Sequence, residues 1–151
     1  MKILSHLACV FFLTFSAYAQ GAINNSEVKN VLLQKYMMNH DKAQMDMLKS
    51  ETLKHAGDSV AALIEVMKNG KYPDKNRWMA TFLLGQIMGD KSAPFLSKFL
   101  QPPRWVMRMA SLKTMLALKQ KDYSRQYANL LKDDSFIVRA QALDNIRTLK
   151  T

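Results

Sequence analysis

The stretch 76–87, NRWMATFLLGQI, is answered by 107–118, MRMASLKTMLAL, and again by 138–149, VRAQALDNIRTL. Each copy starts 31 residues after the last (107 − 76 = 31; 138 − 107 = 31). The offset sets Arg77, Arg108 and Arg139 in one column. It sets Ala80, Ser111 and Ala142 in a second, Leu84, Met115 and Ile146 in a third, and Ile87, Leu118 and Leu149 in a fourth. Within a copy, the last three columns are four and then three residues apart, which is one face of a helix. Between the copies Leu96 matches Tyr127, Phe99 matches Leu130, and Leu100 matches Leu131. A fixed period in this range predicts helical hairpins that bury their apolar stripes against one another, since none can bury its own. The predicted fold is therefore all-α: a short α-solenoid of stacked helical hairpins.

Working outward, the first helix of each unit falls at 75–88, 104–118 and 136–149, and the second at 92–100 and 123–132. Ser92 is placed to cap a second helix, with Pro94 tolerated in its first turn, and the pair at 102–103 breaks the chain before the next unit. Asp133, Asp134 and Ser135 are placed to cap the last helix. Upstream, Val28, Val31, Leu32 and Tyr36 recur at helical spacing, and the pattern weakens from Met38 to Asp41. Asp41 can cap a second helix carrying Met45, Leu48 and Leu53; one long bent helix is the alternative. Gly57 ends that element, and Val60, Leu63, Ile64 and Met67 form another, stopped by Asn69 and Gly70. Sustained period-two alternation is absent, so no strand is predicted.

Three segments follow: a signal peptide at 1–19, an N-terminal helical cap at 20–70, and the repeat region at 71–151. The first begins with Lys2, continues as an apolar run from Leu7 to Phe15, and ends in Ala17-Tyr18-Ala19, a small-x-small cleavage signature. Cys9 is no lipid-attachment point, because the apolar run continues past it. Cleavage removes that cysteine and Lys2, lowering the formal charge from +10 to +9 and leaving no thiol for a disulfide or a ligand. The location implied is periplasmic or secreted. A strong positive balance favours acidic proteins, anionic envelope lipids or lipopolysaccharide; nucleic acid is the usual partner of such charge but is not expected outside the cell.

The phrases Asp133-Asp134-Ser135-Phe136-Ile137-Val138-Arg139-Ala140-Gln141-Ala142-Leu143 and Leu83-Leu84-Gly85-Gln86-Ile87-Met88-Gly89-Asp90 resemble the HEAT-repeat family, in its short bacterial phycobilisome-lyase type. That pattern is an acidic turn, valine-arginine, alanines, then leucine-glycine-x-isoleucine-glycine-aspartate. Asn76 and Met107 stand where it has valine, Met88 is inserted, and Gly85 is followed in register by Leu116 and Arg147. A glycine at that point lets helices approach closely. The resemblance implies an α-solenoid that binds other macromolecules, with Arg77, Arg108 and Arg139 as a structural ladder bonding turn acids or carbonyls of neighbouring repeats.

Candidate sites are surfaces rather than catalytic groups. Trp78 and Phe82 are four apart and share a face; their counterparts are Met109 with Lys113, and Ala140 with Asp144. That face lies under the N-terminal helices or forms an exposed apolar patch of the kind that marks a partner site. Arg104 and Trp105 join it as candidate partner-binding residues, although Phe136 at the counterpart of Trp105 favours packing there. Met37, Met38, Met45 and Met47 cluster around His40. Thioethers and imidazole suit Cu(I), while methionine is also ordinary core filler. Metal-hydrolase, phosphate-loop and serine-hydrolase phrases are missing, and His40 and His55 are the only histidines past the leader, so no enzymatic activity and no cofactor are expected.

Overall fold

The computed structural model describes residues 25–101 and 104–150. The leader expected at 1–19 and the chain break at 102–103 lie outside them. The described chain is all-helical and contains no strand. Its α-helices are α1 (Asn25–Met37), α2 (Lys42–His55), α3 (Val60–Lys68), α4 (Asp74–Met88), α5 (Ala93–Ser97), α6 (Trp105–Ala117), α7 (Ser124–Leu130) and α8 (Phe136–Leu149). The long-bent-helix alternative fails at Met38–Asp41. There Asp41 accepts from the Gln44 N–H at 2.8 Å while the Gln44 side chain accepts from the Asp41 N–H at 3.0 Å. This reciprocal cap starts α2 as a separate helix.

The even-numbered helices pack in a row, α2 on α4, α4 on α6 and α6 on α8. The odd-numbered helices pack on the even ones that follow them, most extensively α3 on α4 and α7 on α8. Columns of the 31-residue register behave alike: Ala80, Ser111 and Ala142 are all fully buried, and so are Asn76, Met107 and Val138. One core runs from Val28 to Leu149, so it is continuous across position 70.

The repeated phrase recurs once more upstream than the sequence showed. The described residues with positive φ are Ala56, Gly89, Lys119 and Lys150, and each closes one even-numbered helix. After the first three comes a 3-10 turn, at Ala56–Ser59, Gly89–Ser92 and Lys121–Tyr123, and then the next odd helix. In the first two turns a buried serine donates to the same place. Ser59 Oγ reaches Ala56 O and Ser92 Oγ reaches Gly89 O, both at 2.6 Å. Ser92 thus does not cap α5 as expected; its hydroxyl faces back into the turn. The upstream unit sits 33 residues before the next (89 − 56 = 33), which hides it from a 31-residue search.

Buried polar side chains tie neighbouring elements together. Thr52 Oγ1 gives its one proton to Leu48 O at 2.7 Å, so at 3.0 Å the Tyr36 hydroxyl is the donor to Thr52. Burial foremost pushes the Tyr36 pKa up to about 12, with the Glu51 charge adding to it and the Thr52 bond opposing it. Asn76 of α4 donates to the carbonyls of Tyr36 at 2.7 Å and Met38 at 2.8 Å. Asn145 of α8 donates to Leu112 O of α6 at 2.9 Å. Ser111 is the exception: its buried hydroxyl has no partner, and both register counterparts are alanine. An unsatisfied buried hydroxyl is unfavourable, so Ser111→Ala is expected to raise stability by roughly 1 kcal/mol. Thermal or urea unfolding checks this, and a loss of stability would show that the hydroxyl has a role.

Candidate helical surface and the arginine column

The arginines of the 77/108/139 column meet different partners. Arg77 is buried and donates to Met67 O of α3 through Nε at 3.3 Å and Nη2 at 2.9 Å, and to Asp74 at 3.1 Å. Arg108 of α6 reaches into the next turn. Its Nη2 donates to Asp133 Oδ1 at 2.8 Å, and its Nε lies 2.6 Å from Oδ2. Arg139 donates to the carbonyls of Asp133 at 2.7 Å and Asp134 at 3.1 Å. Asp133 also accepts the Ser135 N–H at 2.9 Å. Burial acts to raise the Asp133 pKa, but the bonds from Arg108 and Ser135 and the charges of Arg108 and Arg139 outweigh it, leaving it below the ordinary 3.8. Asp133 and Asp134 therefore anchor arginines, and no side chain of Ser135 caps α8. Asp90, another acid near the column, is engaged by Gln120 at 2.6 Å.

The even-numbered helices also share an outward face. Its central column is Met45, Trp78, Met109 and Ala140, using the 33-residue step first and 31 thereafter. Three residues earlier stand Lys42, Lys75, Val106 and Ile137; four earlier stand Asp41, Asp74, Trp105 and Phe136. Four later come Lys49, Phe82, Lys113 and Asp144. These spacings keep all the columns on one side of their helices. Phe82 and Trp105 are each 45% exposed and Phe136 is 72% exposed, values that decide against a purely packing role. Ile137 is exposed as well.

The N-terminal helices only partly cover this face. Trp78 is half-buried and, with Met45, Met79 and Val106, lines a groove of about 380 Å³. The walls are almost wholly apolar, with Asp74 and Lys75 at one side. Arg104 is exposed and ties to Asp74 across the inter-repeat gap at 2.8 Å. The structure thus gathers Trp78, Phe82 and Trp105 onto one face, with Arg104 at its edge. Met45, Val106, Phe136 and Ile137 extend the face and were missed in the sequence. The signal for the last three was present, since Trp105 and Phe136, and Val106 and Ile137, are register pairs. Met45 could not be placed without the upstream unit.

The methionine candidates separate. Met38, His40 and Met47 line a cleft beside α1 and α2. Met45 lines the Trp78 groove instead, and Met37 is exposed but does not line the cleft. Among the described residues no group of three or more His, Cys, Asp or Glu is placed to hold a metal, and no helix is long and apolar enough to cross a membrane. Scans of protein-family models, curated proteins and solved structures each return no match to the chain.

Proposed function

We propose that the chain is an exported, non-enzymatic HEAT-like α-solenoid that binds a protein partner on the outward face of its even-numbered helices. The observation that carries this reading is the run of exposed apolar side chains, Phe82, Trp105, Phe136 and Ile137, beside the Trp78 groove. Exposed aromatics on one helical face are costly to leave in water and mark interaction surfaces. Lys42, Lys49, Lys75 and Lys113 are exposed around the same columns and outnumber the exposed Asp41 and Asp144, while Asp74 is paired with Arg77 and Arg104. The complementary partner carries apolar anchors within an acidic rim. Buried polar groups such as Asn76, Arg77 and Asn145 are engaged with backbone carbonyls, which fits a scaffold role. The family phrase and the small-x-small leader support the solenoid and the exported location respectively.

The test is site-specific photocrosslinking in intact cells, with the reactive group at position 82 or 105 and a control at Ala128 on α7. A discrete protein adduct from 82 and 105 but not from 128 is expected. The Phe82→Ser and Trp105→Ser variants, both at exposed positions, should each weaken capture of that protein by about tenfold. Equal adducts from all three positions would overturn the reading. So would salt-sensitive binding to anionic vesicles that competes with no protein, since that result assigns the face to lipid.

A further inference from the structure

The cleft beside α1 and α2 holds an arrangement separate from the aromatic face. It encloses about 250 Å³, and Met38, His40 and Met47 line it with Leu48. His40 Nε2 lies 2.7 Å from Lys35 O. A carbonyl oxygen can only accept, so the ring donates from Nε2, and in the neutral ring Nδ1 keeps its lone pair. Fixing one imidazole nitrogen on a carbonyl is how metal-binding histidines are oriented.

The loop that carries Met38 and His40 is held at successive residues. Lys35 O also accepts the Met38 N–H at 3.2 Å. Asn76 donates to Tyr36 O and Met38 O, Lys75 donates to His40 O at 3.3 Å, and the Asp41–Gln44 cap fixes the end. This is support from a second helix for a short exposed loop. Two methionines project from it and from the facing helix, 55% exposed at Met38 and 72% at Met47, which is far from core filling. Lys35, the cation at the cleft, is paired with both oxygens of Glu51 at 2.6 Å.

We propose that Met38 Sδ, Met47 Sδ and His40 Nδ1 form a binding site for one soft monovalent ion, Cu(I). Two thioethers and one imidazole are neutral, polarisable donors; they suit Cu(I) and offer little to hard cations. Among the described residues the only carboxylate lining the cleft is Glu51, and it is engaged by Lys35. Binding requires no redox step.

The experiment titrates the full chain with Cu(I) under anaerobic conditions against a chromophoric Cu(I) chelator, and with Ag(I) as a redox-inert probe. One ion per chain is expected. The methyl signals of Met38 and Met47 and the Nδ1 signal of His40 should shift, while those of Met37 and Met45 stay. Met38→Leu and Met47→Leu should each weaken Cu(I) binding by at least about tenfold, and Met45→Leu should not. Both positions are exposed, so an unchanged helical spectrum separates ligand loss from misfolding. Unchanged affinity in the double variant Met38→Leu/Met47→Leu, shifts spread over all the methionines, or tighter binding of Zn(II) than of Cu(I) would each overturn the proposal.

Discussion

Replacing Arg108 with alanine is expected to cost about 3 kcal/mol of folding stability. The side chains of Arg108 and Asp133 are only 11% and 6% exposed, and they meet through two nitrogens and two oxygens. Removing Arg108 from a pair this dry leaves the Asp133 carboxylate only partly compensated, by the Ser135 N–H and the Arg139 charge, which costs more than losing a surface ion pair. The companion change Asp133→Asn in the Arg108→Ala background removes the stranded charge and should recover part of the loss. A urea-unfolding cycle on the four proteins measures this, and a loss under about 1 kcal/mol for Arg108→Ala would show the pair to be ornamental. The same carboxylate sets a pH dependence. Its folded pKa lies below the ordinary 3.8, so its contribution is present above that value and disappears as pH falls through the lower folded one. Stability measured from pH 6 down to about 3 should therefore drop less steeply in Asp133→Asn than in the parent.

The second large effect is expected at Gly85. A Cβ there would stand 2.4 Å from Thr114 Cγ2 and 3.4 Å from Leu118 Cδ1. Thr114 is buried and its hydroxyl is engaged with Ala110 O at 2.8 Å, so it cannot turn away freely. Gly85→Leu, which installs the residue found in register at Leu116, should lose about 3 kcal/mol through overpacking between α4 and α6. Gly85→Ala isolates the cause. In the parent its clash outweighs the gain of roughly 1 kcal/mol from better helix propensity. In a Thr114→Ser background, which keeps the hydroxyl and deletes the methyl, that gain should emerge and the sign should reverse. A Gly85→Ala that stabilises both backgrounds equally would mean the helices are not in contact there.

How much of this was legible depends on which forces leave a linear trace. The 31-residue columns did, because burial at Ala80, Ser111 and Ala142 imposes the same small side chain each time. The helix 136–149 was placed to the residue, since a polar turn precedes it and its apolar face is regular. The close approach at Gly85 was readable from a glycine standing inside the apolar face of a predicted helix. The upstream unit was not: its step is 33, it has Gln44 where later units have arginine, and Ala56 takes the positive φ that Gly89 takes later. The second helices came out shorter than the expected 92–100 and 123–132, chiefly because their last residues close as tighter turns, with Phe99 N–H on Leu96 O at 2.9 Å and Lys132 N–H on Asn129 O at 3.3 Å. Three-dimensional adjacency also divided the methionines, sending Met45 to one groove and Met38 and Met47 to another, which no spacing rule foretells.

One column has a practical corollary. Thr81 and Leu112 are fully buried, while Leu143, their counterpart on α8, is exposed. On the solenoid reading proposed above, the row of even-numbered helices can be lengthened by design. An in-frame duplicate of residues 105–135 would supply one more covering edge, keep the Arg108–Asp133 tie in both copies, and leave Leu143 as the terminal residue of a longer ruler.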